Sequence, residues 1–152
     1  MPKATAADAE LILKLYDLRR EAEMRKARTW WFATFWPESA EDFMKVGMAL
    51  GTQENAWLRQ VSGYWNMAAA LVLAGAVNKD LFMDPSFSGE MFVLYAKVKP
   101  FLKELREKMQ NPHVYANVEK LISGSKQSKD FLKYMENQLA NRRKAMAGAA
   151  RA

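Results

Sequence analysis

The stretch TQENAWLRQVSGYWNMAAALVLAG, residues 52–75, decides the fold. Thr52 is placed to accept a hydrogen bond from a first-turn amide, and Gly75 supplies the left-handed residue that ends a helix. At about 100° per residue, Trp57, Val61, Tyr64, Trp65, Ala68, Leu71 and Val72 share one broad face, and Ala69, Ala70 and Leu73 widen it. A helix that is apolar over so much of its circumference belongs inside a protein. Gly63 and Ala68–Ala70 keep its surface low enough for other helices to come close, which is the geometry of a bundle.

Outward from this helix, caps and helical periods recur and β alternation is absent, so the chain reads as all-α, a compact bundle of six or seven helices. Thr5 and Asp8 form a capping-box-like start for a long first helix that extends to about Trp36, where Pro37 stops it. Ser39 and Asp42 open a short second helix ending near Gly51, and a single turn is expected around Asn78–Met83. Ser86–Gly89 reads as a loop. Beyond it Met91, Leu94, Tyr95, Val98, Phe101, Leu102, Leu105 and Met109 fall within an arc of about 120°, the clearest amphipathic helix here, with a bend expected at Pro100. Asn111-Pro112 reads as the start of a helix ending at Ser123-Gly124, and a last helix as Ser128 to about Ala145. Residues 1–147 therefore form one expected domain, and 148–152 a frayed tail with nothing large to bury.

The sequence Tyr64-Trp65-Asn66-Met67 through Val77, followed by Asp80-Leu81-Phe82 and later by Tyr95, Pro100 and Arg106, resembles a family of uncharacterised bacterial all-helical domains of unknown function. The resemblance covers roughly residues 55–110. It implies a helical architecture and no activity.

Composition narrows the chemistry. In 152 residues there is no Cys and one His, which removes disulfides, thiolate nucleophiles, iron–sulfur clusters and Cys-based zinc sites. His113 stands at an expected helix start with no identifiable partner, so it reads as exposed rather than catalytic. The pairs Glu38/Asp42, Glu41/Asp42 and Asp80/Asp84 read as charges that favour helix N-termini. No phosphate-cradling, metal-binding or acyl-transfer motif is present, so no catalytic residue, cofactor or metal is expected. The apolar run Met67–Val77 is too short for a membrane span of about 20 residues, and the N-terminus lacks a secretory pattern; a cytoplasmic location is expected. Charge is uneven: residues 96–152 carry thirteen basic and five acidic side chains. Lys99, Lys103 and Arg106, and then Arg142-Arg143-Lys144, read as solvated helix faces, and nucleic acid is not the expected partner because no binding motif accompanies them.

The least ordinary local feature is Trp30-Trp31-Phe32-Ala33-Thr34-Phe35-Trp36. On one unbroken helix, Phe32 and Trp36 continue the stripe of Leu11, Leu15 and Leu18, whereas Trp31 and Phe35 fall on the other side with Leu13 and Met24. Either this helix is sandwiched within the bundle, or its second face, Leu13, Met24, Trp31 and Phe35, binds another chain or an apolar ligand; the reading adopted is the interface of a homodimer, and the function read from it is a non-catalytic association module. The alternative is a small-molecule-binding or enzymatic domain with an aromatic pocket formed by Trp30, Trp57, Tyr64, Trp65 and Phe92. Because one His and scattered carboxylates make no closed zinc set, a metal chelator is expected to leave the melting temperature unchanged; a fall of several degrees would contradict this.

Overall fold

A computed structural model describes residues 2–152, and among these the structure is all-helical, without a strand. The helices are α1 (Ala6–Leu18), α2 (Ala22–Thr29), α3 (Ala40–Gly47), α4 (Gln53–Leu73), α5 (Lys79–Phe82), α6 (Pro85–Val98), α7 (Leu102–Lys108), α8 (Ala116–Ile122) and α9 (Lys126–Arg151). α4 is central, as its sequence requires: Thr52 Oγ1 accepts from the Asn55 amide, Gly75 ends the helix at φ +79°, and α2, α3 and α8 pack around it. α6 packs on α9 and α8, and the core runs without interruption from Trp31 and Trp65 to Phe92, Leu105 and Leu121.

There are more helical segments than the six or seven expected, because two expected helices are divided. The long first helix stops at Leu18. Glu21 leaves helical geometry at ψ 143° and its own carboxylate caps the next helix, accepting from the Glu23 and Met24 amides. The carbonyl of Arg19 freed by this break accepts from Arg28 Nη1 at 3.1 Å. Arg28 is in turn held by Glu90 of α6 through a fork of hydrogen bonds (Nε to Oε2 at 2.9 Å), and Glu90 also lies 3.8 Å from Arg19. The corner is thus made by four charged side chains, Arg19, Glu21, Arg28 and Glu90, with neither proline nor glycine. The second division falls at Pro100, where a bend was expected: a 3-10 turn, Lys99–Phe101, separates α6 from α7.

α2 does not end at Thr29 but widens into a single π-helical turn, Trp30–Thr34, closed by a Phe35 N–H to Trp30 carbonyl bond of 2.9 Å. Phe35 then takes up extended geometry and Pro37 follows. Such a terminus leaves carbonyls without helical partners. Lys97, on the last turn of α6 and 1 % exposed, supplies them: its Nζ donates to the carbonyls of Trp31 (2.6 Å), Phe35 (2.9 Å) and Phe32 (3.4 Å). The same nitrogen lies 3.8 Å from the centre of the Trp36 ring, whose indole also faces Arg143 of α9 at 5.3 Å.

Three local expectations change. Ser86–Gly89 is helix, not loop, since Asp84 caps α6 and Pro85 occupies its first position. Asn111-Pro112 does not start a helix: Asn111 Oδ1 accepts from the His113 amide, and α8 begins only after Tyr115, which adopts φ +55°. That left-handed residue is held by its burial, with its hydroxyl 2.6 Å from Ser62 and its ring edge-on to Phe43. α9 continues through Arg151, so the expected frayed tail 148–152 is helical as far as Arg151, although residues 144–152 are all exposed.

Burial drives the Lys97 pKa down to about 7, and Arg143 and Arg142 add to the effect, outweighing the carbonyls and indole face that favour the cation. The neutral amine still has two N–H donors for its two shorter contacts. From pH about 7 to about 10 the unfolded chain, whose lysine keeps its ordinary value of 10.5, therefore binds more protons at this position than the folded one, and stability rises with pH. Above pH 10 the sign reverses, because burial holds the Tyr64 and Tyr95 hydroxyls up to about 12 while those of the unfolded chain ionise first. Denaturant melts from pH 6 to 11 should show this rise and fall. Lys97→Met should flatten the rising limb and cost about 2–4 kcal/mol, because it leaves buried carbonyls unpaired; an unchanged midpoint and slope would contradict this assignment.

Candidate functional site

The expected aromatic pocket is divided. Trp30 and Trp57 do meet, at the open groove between α2 with its π turn and the first turns of α4. Their ring centroids are 6.1 Å apart, and Arg25, Lys26, Thr29 and Thr34 complete the walls of a cavity of about 530 Å³. Trp30 is fixed on its other side by stacking on Phe35, 4.6 Å away and within 12° of parallel. The other three lie elsewhere. Tyr64 is turned toward α1 and donates to the Leu15 carbonyl at 2.6 Å, and Trp65 is 1 % exposed beneath the Arg19 guanidinium. Phe92 packs edge-on against Phe131 of α9 and borders a different cleft, with Lys79, Asp80, Asp84 and Ser125.

The expected interface is divided as well. Leu13 is 62 % exposed, but Met24, Trp31 and Phe35 are interior at 3 %, 0 % and 8 %. The physical reason is the corner at Arg19–Glu21 together with the wider π turn. Angles counted from Leu11 lose their meaning once the chain has turned, and the side chains that would have faced outward on a continuous helix are covered by this chain's own α4 and α6. α1 instead exposes a different set: Leu11, Leu13, Tyr16 and Leu18 are all at least 39 % exposed, while only Ile12 and Leu15 of this helix are buried. It is tied by Tyr64 of α4 to Leu15 toward one end and by the Asn78 amide to Asp8 Oδ1 (2.8 Å) at the other.

The groove is electropositive at its rim. Lys26 pairs with Glu23 at 2.8 Å, which holds the Glu23 carboxyl below its ordinary range; the Trp57 indole beside it adds to that effect without reaching hydrogen-bond geometry. Trp57 Nε1 is thus buried without a hydrogen-bond partner. Arg25 makes no ion pair among the described residues. It also borders a neighbouring cleft of about 500 Å³ with Arg28, Arg142 and Glu90.

Other candidates resolve into structural roles. His113 is exposed, and no group of three His, Asp or Glu side chains able to hold a metal occurs among the described residues. Asp42 accepts from the Glu38 amide, Glu41 pairs with Lys108, and Asp84 is a helix cap. The basic third is less solvated than expected. Lys99 pairs with Glu136, Arg106 with Glu119, and Arg143 reaches the Pro37 carbonyl at 3.3 Å beside Trp36; Arg142 and Lys144 remain exposed. The ties among Arg19, Arg28 and Glu90, and from Lys97 to the π turn, join positions more than sixty residues apart and leave no spacing signal in the sequence.

No helix among the described residues is long and apolar enough to cross a membrane. No curated protein and no solved structure matches the chain. A family model matches residues 4–125, from the cap of α1 to the cap of α9, and on that match the chain belongs to the family described as a domain of unknown function (DUF4760).

Proposed function

We propose that this protein is a non-catalytic association module whose contact surface is α1 and which pairs with a second copy of itself. The observation that supports this reading is the imbalance of α1. Four large apolar side chains stand exposed within eight residues: at about 100° per residue, Leu13 and Tyr16 flank one side of the buried stripe, Leu11 and Leu18 the other. Met67 and Leu71 of α4, the helix whose Tyr64 holds α1, are also exposed and would add apolar area toward the roughly 800 Å² per subunit that a stable dimer needs. A two-fold axis is the simplest closed arrangement for such a self-complementary surface.

A second reading, a small-molecule-binding domain, is favoured by one observation: Trp30 and Trp57 line a common groove with an unpaired arginine at its rim.

Sedimentation separates the roles of the residues first assigned to the interface. At about 50 μM the wild-type chain should sediment as a dimer, and Leu13→Asp together with Leu18→Asp should shift it to monomer with unchanged helix content, since an anchor lost from an interface costs about 2 kcal/mol or more. Trp31→Ala should instead lower folding stability by about 3–5 kcal/mol, as expected for a fully buried indole. A wild-type chain that is monomeric at this concentration would remove the self-association reading.

A further inference from the structure

The groove of the second reading has a chemistry of its own. Its walls offer two indole rings, Trp30 and Trp57, with Trp30 already immobilised by Phe35 and by the π turn behind it. A ligand ring placed there gains stacking area without the entropic loss of ordering the protein's own side chains. Trp57 Nε1 is buried on the far side of the wall beside the Glu23 carboxylate, so this indole offers a ligand its ring rather than its N–H. At the rim Arg25 has no counter-charge, whereas Lys26 beside it is already paired with Glu23.

The other clefts differ on these points. In the neighbouring cleft Glu90 already neutralises Arg28, and the cleft beside Phe92 carries two carboxylates, Asp80 and Asp84, that oppose an anion. Among these clefts, only the groove joins an aromatic wall to a guanidinium without an ion pair.

We propose that the groove between Trp30 and Trp57 is a binding site for a small planar aromatic anion, with its ring against the indoles and its acidic group on the Arg25 guanidinium. This rests on the small-molecule reading and extends it from a shape to a ligand class. Neutral aromatics satisfy the wall alone, and inorganic anions the rim alone; the preferred ligand joins both.

The test uses the full chain and follows the Trp57 indole N–H resonance, identified by its loss in Trp57→Phe, during titration with phenyl phosphate, phenol and inorganic phosphate. Phenyl phosphate should shift it saturably at a concentration at least about fivefold below that needed for phenol or phosphate, the scale of a charge-assisted contact at a surface groove. Arg25→Gln should remove that advantage and leave phenol binding unchanged; Arg142→Gln, in the neighbouring cleft, should leave both unchanged. If phenol equals phenyl phosphate, or Arg25→Gln has no effect, the anionic ligand class is wrong while the groove remains an aromatic site. If phosphate alone matches phenyl phosphate, the rim acts without the indoles and the proposal fails. If no probe moves the Trp57 signal, the small-molecule reading fails with it.

Discussion

A single amine organises the half of the molecule that carries its unusual residues. The chain from Thr29 to Pro37 changes geometry twice, from α to π to extended, and each change leaves carbonyls without helical donors. Lys97 answers from α6 by placing one nitrogen against the carbonyls of Trp31, Phe32 and Phe35. An apolar residue in that position would leave the carbonyls orphaned in the core. With the amine in place, Trp31 is driven fully inside while its neighbour Trp30 is turned outward to the groove, stacked on Phe35. The aromatic cluster is therefore a hinge between core and surface, and its two consecutive tryptophans have opposite duties.

A second constraint sets the position of α1. Glu90, also on α6, reaches Arg28 and Arg19 and so holds the corner between α1 and α2. One helix, α6, thus anchors the chain at both ends of α2 through charged side chains. Beyond the corner α1 is attached by little more than Ile12, Leu15 and two hydrogen bonds, and it keeps its other apolar side chains in water. An element so lightly held is a natural place for association, because covering it adds burial without dismantling anything. The groove lies on the other side of the corner, where the rigid stack of Trp30 and Phe35 favours recognition of a flat ligand.

Helices whose ends are written in local chemistry were legible in the sequence. Thr5 with Asp8, Ser39, Thr52 and Gly75 each act where their side chain or their φ freedom indicates, and the apolar α4 is the centre. What was not legible depends on long-range partners. The local sign of the corner is Glu21, which is not among the favoured helix caps, and the carboxylate that holds Arg19 and Arg28 is Glu90, about seventy residues from Arg19. Counting angles through that hidden corner carried Met24, Trp31 and Phe35 to a solvent face they do not occupy. The pocket of Trp30, Trp57, Tyr64, Trp65 and Phe92 was gathered by residue type alone, and only Trp30 and Trp57 meet there. Asp84 with Pro85 was a legible start to α6, outweighed by the Ser and Gly content of residues 86–89. Tyr115 could not be anticipated, since a left-handed tyrosine depends on Ser62 and Phe43 to hold it.

The central claim, that Lys97 locks the π turn into the cooperative core, is tested most directly by native-state hydrogen exchange of the Phe35 amide, which closes that turn onto the Trp30 carbonyl. The account predicts that this amide exchanges only as slowly as the core amides of α4 in the wild-type chain, and far faster than them in Lys97→Met. Rapid exchange of Phe35 in the wild type, with α4 still protected, would show that the turn opens independently and that the buried amine does not hold it.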